Sequence, residues 1–549
     1  MYGICDLQKG FTRGNVIGSD CRRLAIIFDG MLFDTGAASE EKWGKTILRE
    51  FVRMGTSAFA NLCGNFAFAL WDSRGSRNKL YIVRDPLGVK QLMYAVHFPD
   101  CIAFATNYNE LFGECGVKGE IDSGTYREIF GFGPARSPES GVYKNVRSVA
   151  PGGYVRFNEK EHGYRSAKYF ELQECEHTDT YDETRDKVRE LVQSSVKRQL
   201  QTCAAEPGML CSFLSGGIDS SIVTAIAARE PGGEKLPTYS FDFAGNDEHF
   251  IEGANTLQPE RDRPFIDSML RRYPTLRHCY LECPPHDLAD YLFKSVDIKG
   301  LPGMADIDAS LLYFCEGVEE KYALTGECAD ELFGGYPWFA QKADTSRAWL
   351  HPWSRNLDFR TFFLSAEFRD ELDIPAFAAQ RSEVFRPTSG SEHQRLMRLT
   401  IDWFMQTLLT RMDNAAVGAN IVALSPFADV RLCEYLYNVP HEFKAHGGVV
   451  KGLLRDAFAD LLPRELLTRK KSPFPKTYNP AYTQILCERL RELLRDSSSP
   501  LLPLLDSKRL SEFIDTPQLA DIPWYGQLMN APQMLAYLLQ VDYWLRKQS

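Results

Sequence analysis

The sequence predicts an α/β protein of two domains. Three observations carry that prediction: a front segment of short strands, a polar break at residues 172–182, and a strand–glycine turn–helix unit at Met209–Thr224. In the front segment, apolar or alternating runs occur at Leu24–Phe28, Asn65–Trp71, Leu80–Arg84, Cys101–Thr106 and Gly153–Phe157, with turn residues between them. The break reads EHTDTYDE. Thr180 or Asp182 is placed there to cap a helix over Glu183–Leu200, whose apolar stripe is Val188, Leu191, Val192 and Val196. Beyond the break short strands alternate with helices, as in a parallel sheet, and the C-terminal part reads as largely helical. The expected domains are therefore residues 1–175 and 180–549.

Composition narrows the function classes. The 549 residues include 63 basic and 73 acidic side chains, a net charge of −10, and 44 % hydrophobic residues, which excludes global disorder. An acidic chain with no Lys/Arg run argues against nucleic acid or a membrane surface as partner. No apolar stretch approaches the roughly 18–20 residues of a bilayer span. MYGICDLQKG lacks the basic-then-apolar pattern of a secretory signal. Fourteen scattered cysteines without a CxxC predict reduced thiols in a cytoplasmic protein rather than a disulfide framework or structural zinc.

The segment MLCSFLSGGIDSSIVT carries the chemistry. A buried strand runs into Ser215-Gly216-Gly217, and a helix follows with Ile222, Val223 and Ile226 on its apolar face. Glycines let backbone N–H groups approach phosphate oxygens, and the helix N-terminus offers unpaired donors; Ser215, Ser220 and Ser221 add hydroxyls. Asp219 beside such a cradle makes electrostatic sense with a divalent cation between carboxylate and phosphate. The plainer alternative is an ordinary helix cap. No Walker loop and no GxGxxG after a strand compete with this reading.

SGGxDS resembles the pyrophosphate loop of ATP pyrophosphatases, and further motifs identify the chain as similar to the asparagine synthetase family. These are ALTGECADELFGGY (Ala323–Tyr336), RKKSPFPKTYNPAY (Arg469–Tyr482), LPGMADID (Leu301–Asp308), SPFADVRL (Ser425–Leu432) and WYGQLM (Trp524–Met529). The resemblance spans essentially the whole chain. It implies an N-terminal-nucleophile αββα sandwich followed by a doubly wound ATP-pyrophosphatase domain. It also implies ATP and Mg²⁺ as cofactors, the metal held by Asp219 and Asp330. Glu327 falls where the family places a glutamate near the acyl-adenylate and incoming amine, and Lys471 matches the lysine that steadies the reacting phosphorus. Thr325 and Gly326 belong to the second nucleotide loop. Leu214 and the Ser240–Phe243 strand end are expected beside adenine, by analogy with ligand sites beyond strand C-termini. Lys451 and Arg455 are either pyrophosphate contacts or a solvated basic helix face.

The front half resembles the family's glutaminase in scaffold but not in chemistry. LCGNFAFALWD, VRDPLGVKQLMYA and GFGPARSPESGVYKNVRSVAPGGYV match its framework. The family begins Met-Cys-Gly-Ile, and its exposed cysteine is the nucleophile for glutamine; here Tyr2 stands at that position. Cys5 lies in a predicted strand. The Arg-Gly-Pro-Asp clamp and the Ser-Asp-Thr-Glu motif are missing, and Asp29-Gly30 replaces Asn-Gly, an acceptor-only carboxylate for an amide donor. In Met412–Leu432, Asn414, Ala416, Val417, Val422 and Leu424 stand where the family has Arg, Ser, Met, Glu and Arg.

The expected activity is therefore ATP-dependent amide formation without glutamine hydrolysis. A small-molecule or peptide carboxylate would be adenylated, then transferred to ammonia or an amine, free or delivered by a partner protein. An amine-using synthetase or cyclase, of β-lactam synthetase or lasso-cyclase type, is the alternative, although Glu327 replaces the tyrosine of β-lactam synthetases. A non-catalytic regulatory subunit is the third reading; retention of Ser215, Asp219, Glu327, Asp330 and Lys471 speaks against it. A homodimer is left open.

Overall fold

The computed structural model describes residues 1–549 except 20–22, 37–38, 98–100, 160–162, 204–205, 207, 232, 254–257, 341–350, 354–355, 517–523, 527–528 and 549. Gln527 and Leu528 of the WYGQLM motif thus lie outside the described residues.

Two antiparallel sheets stack in the front half. One holds β1 (Tyr2–Asp6), β2 (Gly10–Arg13), β7 (Met93–His97), β8 (Cys101–Ala105) and β9 (Arg147–Ser148), in the order β2-β1-β8-β7-β9. The other holds β3 (Ile17–Gly18), β4 (Leu24–Leu32), β5 (Gly64–Asp72), β6 (Lys79–Arg84), β10 (Gly153–Asn158) and β11 (Tyr164–Lys168), in the order β11-β10-β6-β5-β4-β3. Alternation puts Cys5, Ile27, Ala67, Ala69, Ile82 and Phe104 between the sheets as one dry core. The helix Glu40–Met54 lays Trp43, Ile47 and Phe51 on the outer face of the six-stranded sheet, where Phe51 meets Tyr81 edge-on at 5.4 Å. On the far side, the helical turn Glu110–Glu114 packs on β1 and β8, completing an αββα sandwich.

The second half opens with the helix Tyr181–Cys203. Thr180, not Asp182, caps it: the Glu183 N–H donates to Thr180 Oγ1 at 3.4 Å and Glu183 Oε2 accepts from the Thr180 N–H at 2.9 Å. Five parallel strands follow: β12 (Leu210–Phe213), β13 (Pro237–Phe243), β14 (Arg277–Cys283), β15 (Tyr322–Leu324) and β16 (Val422–Leu424), in the order β14-β13-β12-β15-β16. The order reverses between β12 and β15. In an open parallel sheet the chains leaving two such strands diverge to opposite faces and leave a crevice at their C-terminal ends. Both sequence motifs that resemble nucleotide loops start at that crevice.

Candidate active site

The first loop leaves β12 with its ladder still engaged, the Leu214 N–H donating to Tyr239 O at 2.8 Å. Gly216 adopts φ +70°, and a Cβ there would press on Asp262 O at 2.9 Å, so the turn requires glycine. The helix Ile218–Arg229 begins at Gly217 with no side-chain cap, leaving its first N–H groups facing the crevice. Ser220 Oγ lies 2.9 Å from Ser215 Oγ, tying the loop to the first helical turn.

The second loop leaves β15 through Thr325, whose N–H donates to Leu424 O at 2.8 Å. A Cβ on Gly326 would sit 2.7 Å from the Ser220 nitrogen, so this glycine lets the two loops touch. Cys328 adopts φ +76° and is 3 % exposed; burial pushes its thiol well up, which marks it as a turn residue rather than a nucleophile.

Four charged side chains converge where the loops meet. Lys451 Nζ lies 2.6 Å from both Asp219 Oδ2 and Asp330 Oδ1, and Lys471 Nζ lies 2.9 Å from Asp330 Oδ2. Lys451 holds φ +58°, an uncommon backbone for a non-glycine residue, and is 2 % exposed; the left-handed turn drives its ammonium between the carboxylates. Burial pushes the Asp219 carboxyl up against the pull of Lys451. For Asp330, burial is outweighed by Lys451 and Lys471, which together hold it well below the usual carboxylate range. Asp219 Oδ1 is buried without a hydrogen-bond partner. Burial and the neighbouring Asp330 raise Glu331 to about 7, and Tyr336 donates to it at 2.6 Å.

These residues border a cavity of about 260 Å³ whose remaining wall is largely apolar. Glu327 lines it, held by Arg411, whose Nη2 donates to Glu327 Oε1 at 2.7 Å. Arg411 is 7 % exposed and lies over the Phe474 ring at 5.8 Å. Lys471 stands over the Tyr336 ring at 5.5 Å.

Of the residues singled out from sequence, Ser215, Gly217, Asp219, Ser220, Ser240, Thr325, Gly326, Glu327, Asp330, Lys451 and Lys471 all border this cavity. Leu214, Gly216, Ser221 and Phe243 do not. Leu214 and Ser221 are fully buried in the core, Gly216 supplies the turn, and Phe243 is 3 % exposed. The strands instead present Phe213, Tyr239 and Phe241 to the cavity. Lys451 is no solvated helix residue. Arg455 also borders the cavity; it is 7 % exposed, and its guanidinium donates to the carbonyls of Val450, Leu466, Leu467 and Arg469 at 2.8–3.0 Å, which braces the loop that carries Lys471. Arg411, Asp262 and Arg469 were not legible as site residues. Arg469 pairs with Asp262 and covers the Phe265 ring at 4.1 Å. The only signal for Arg411 was a lone basic residue in the helix Met405–Gly418.

At the corresponding place in the front half, Tyr2 pairs with Ala105 in the sheet and Cys5 is fully buried, its thiol pushed far up by burial. Lys90 Nζ lies 2.8 Å from Asp413 and 3.5 Å from Asp29. Asp29 also accepts from Thr106 Oγ1 at 3.1 Å and lies 3.5 Å from the Met1 amine. Burial acts to raise the Asp29 carboxyl; Lys90 and the Met1 amine outweigh burial and hold it at about 2.

Residues 187–546 match the family model described as asparagine synthase, and residues 23–170 match the one described as a glutamine amidotransferase domain. The chain is 36 % identical over 546 residues to the glutamine-hydrolysing asparagine synthetase 3 of Bacillus subtilis (strain 168), covering 94 % of this chain and 86 % of that protein. It is 24 % identical over 552 residues to the amidase chry2 of Gibberella zeae, covering 85 % and 78 %. Among solved structures, the allosteric regulatory enzyme of purine biosynthesis is similar at 13 % identity and a TM-score of 0.20, covering 49 % of this chain and 62 % of that one.

Proposed function

We propose, from the premise that this chain belongs to the asparagine synthase family, that it activates a carboxylate as an acyl-adenylate and passes the acyl group to ammonia or an amine without hydrolysing glutamine itself. The family's reaction, ATP-dependent amide formation yielding AMP and pyrophosphate, is this chain's reaction. The observation that carries the finer reading is the contrast between the two lysine-centred ion clusters. One opens on a cavity beside an uncapped helix N-terminus; the other ties Asp29, which stands where the family has the amide donor of Asn-Gly, to Asp413.

The substrate carboxylate attacks the α-phosphorus, and the bond to the leaving pyrophosphate breaks. The N–H groups at Ile218–Ser220 and the ammoniums of Lys451 and Lys471 face the charge that develops on the phosphate oxygens. Glu327, steered by Arg411, takes a proton from the amine as it attacks the acyl carbon, and AMP departs. Asp219 and Asp330 suit Mg²⁺, which takes one or two carboxylates plus phosphate oxygens, and Asp219 Oδ1 is a buried oxygen without a hydrogen-bond partner. When bound, the ion would supply further neutralisation of the triphosphate. The largely apolar wall, with Phe213, Phe241, Leu408 and Phe474, favours an acid with an apolar body as a second reading of the substrate.

The test is carboxylate-dependent exchange between ATP and labelled pyrophosphate, followed by amide formation with ammonium or glutamine. Exchange with ammonium-dependent and not glutamine-dependent amide is expected; efficient use of glutamine would overturn the reading.

A further inference from the structure

The helix Met405–Gly418 touches both halves of the molecule, and its two faces do different work. At 3.6 residues per turn, Gln406 and Asp413 lie within about 20° of each other around the axis, while Leu408 and Arg411 fall about 140–200° away from Gln406. The first face meets the front domain. Arg84 Nη2 donates to Gln406 Oε1 at 3.0 Å, Gln406 Nε2 donates to Leu87 O at 2.8 Å, and Lys90 Nζ lies 2.8 Å from Asp413. One turn earlier, in the π-helical stretch Thr400–Phe404, Trp403 Nε1 donates to Ala135 O at 3.1 Å. The second face looks into the cavity with Leu408, Arg411 and Met412, and Arg411 holds Glu327.

The front-domain anchors are rigid and well buried. Arg84 is 5 % exposed and also donates to the carbonyls of Gly88, Lys90 and Val149. Asp85 Oδ atoms accept from the N–H groups of Leu87, Val89 and Lys90, which shapes the loop that presents Lys90 and Leu87. A Cβ on Gly88 would collide with Gln406 Oε1, so the loop approaches the helix as closely as a backbone can. Lys90 is also held on its other side by Asp29. A helix gripped at residues 403, 406 and 413 cannot rotate or slide without breaking these bonds, and Arg411 rides on it.

We propose that the front domain acts as a positioning device for the amide-forming step, with Lys90 and Gln406 as positioning residues. By fixing the rotation of the Met405–Gly418 helix they set where Arg411 places the Glu327 carboxylate. The front domain thus serves catalysis through its scaffold, whatever its own cleft does. This rests on the reading of Glu327 as the group that accepts the amine's proton. It does not involve the phosphate-binding residues, so it separates the two half-reactions.

The experiment compares the whole chain with its Lys90→Met and Gln406→Met variants, each checked for folding by circular dichroism. Two quantities are measured: carboxylate-dependent ATP–pyrophosphate exchange, and the ratio of amide formed to AMP released at saturating ammonium. Exchange is expected to stay within about twofold of the parent chain, while amide formed per AMP falls about tenfold or more, as a displacement of about an ångström at a reacting group costs. Arg411→Met, which removes the side chain that holds Glu327, should lower amide formed per AMP at least as far. Lys90→Arg, which keeps the charge, should restore most of the ratio. Folded variants that lose exchange and amide in parallel, or lose neither, overturn the proposal. Should Lys90→Met not fold, the neutral Gln406→Met decides by the same criteria, and loss of its fold would also overturn the proposal by making the contact a structural one. A parent chain without exchange would instead overturn the ligase reading beneath it.

Discussion

Each half of the molecule sets one lysine between two aspartates, and the two clusters behave differently. Lys90 stands between Asp29 and Asp413, Lys451 between Asp219 and Asp330. The front triad links two domains and does not border the cavity at the two loops; the rear triad lines it. The rear cluster also has a second lysine, an unpartnered carboxylate oxygen and an uncapped helix end, all of which a polyphosphate and its cation would satisfy. Buried charges of the same kind are paired within the protein in the front cluster, as a strut, whereas the rear cluster leaves an oxygen and a helix end for a ligand to answer.

The largest expected effect separates the clusters directly. Asp219→Asn should lower carboxylate-dependent pyrophosphate release by about a hundredfold or more, because it removes the carboxylate charge that would hold a cation against the triphosphate and that pairs with Lys451. Pyrophosphate release close to that of the parent chain would show that the rear triad is also only a strut. Glu327→Gln should leave ATP–pyrophosphate exchange near parental while amide formation falls about 10²-fold or more, the range of a lost general base. Equal loss of both steps would place Glu327 in adenylation instead.

Acid sharpens the front side of the comparison. The Asp29 carboxyl is held at about 2, below its ordinary value of 3.8, so its contribution to stability is present above about pH 4 and is lost as pH falls toward 2. That shift corresponds to about 2 kcal/mol. The melting-temperature difference between the parent chain and Asp29→Asn should therefore shrink between pH 5 and pH 2; a constant difference would deny the strut its charge. Least of all, Cys5→Ala should cost about 1 kcal/mol of stability, as expected for a small buried side chain, with amide formation unchanged. A fall in glutamine-dependent activity in that variant would revive Cys5 as a nucleophile.

The loops were legible because their chemistry is local. SGGIDSS and TGECADELFGGY each place glycine, carboxylate and helix start within a few residues, and local geometry then follows from backbone sterics. Which strand residues border the cavity was not legible. Phe241 and Phe243 sit two residues apart on β13, so period two assigns them to one face and cannot say that Phe241 reaches the cavity and Phe243 does not. The sequence could not choose between the alternatives for Arg455, because a basic residue near a helix end reads the same whether it meets water, phosphate or four carbonyls.

Taken alone, the sequence determined the order of the two layered units, the two glycine-bearing loops after β12 and β15, and the departure from the family's residues at Tyr2 and Asp29, since each is a matter of residue type at a stated spacing. The tertiary structure alone decided which charges meet. Asp219 and Lys451 are 232 residues apart in the chain, and Lys90 and Asp413 are 323 apart. Pairings over such distances depend on how whole domains pack, and no local propensity encodes them. The same holds for Arg411, whose role came into view once the helix that carries it was seen gripped on one side and facing Glu327 on the other.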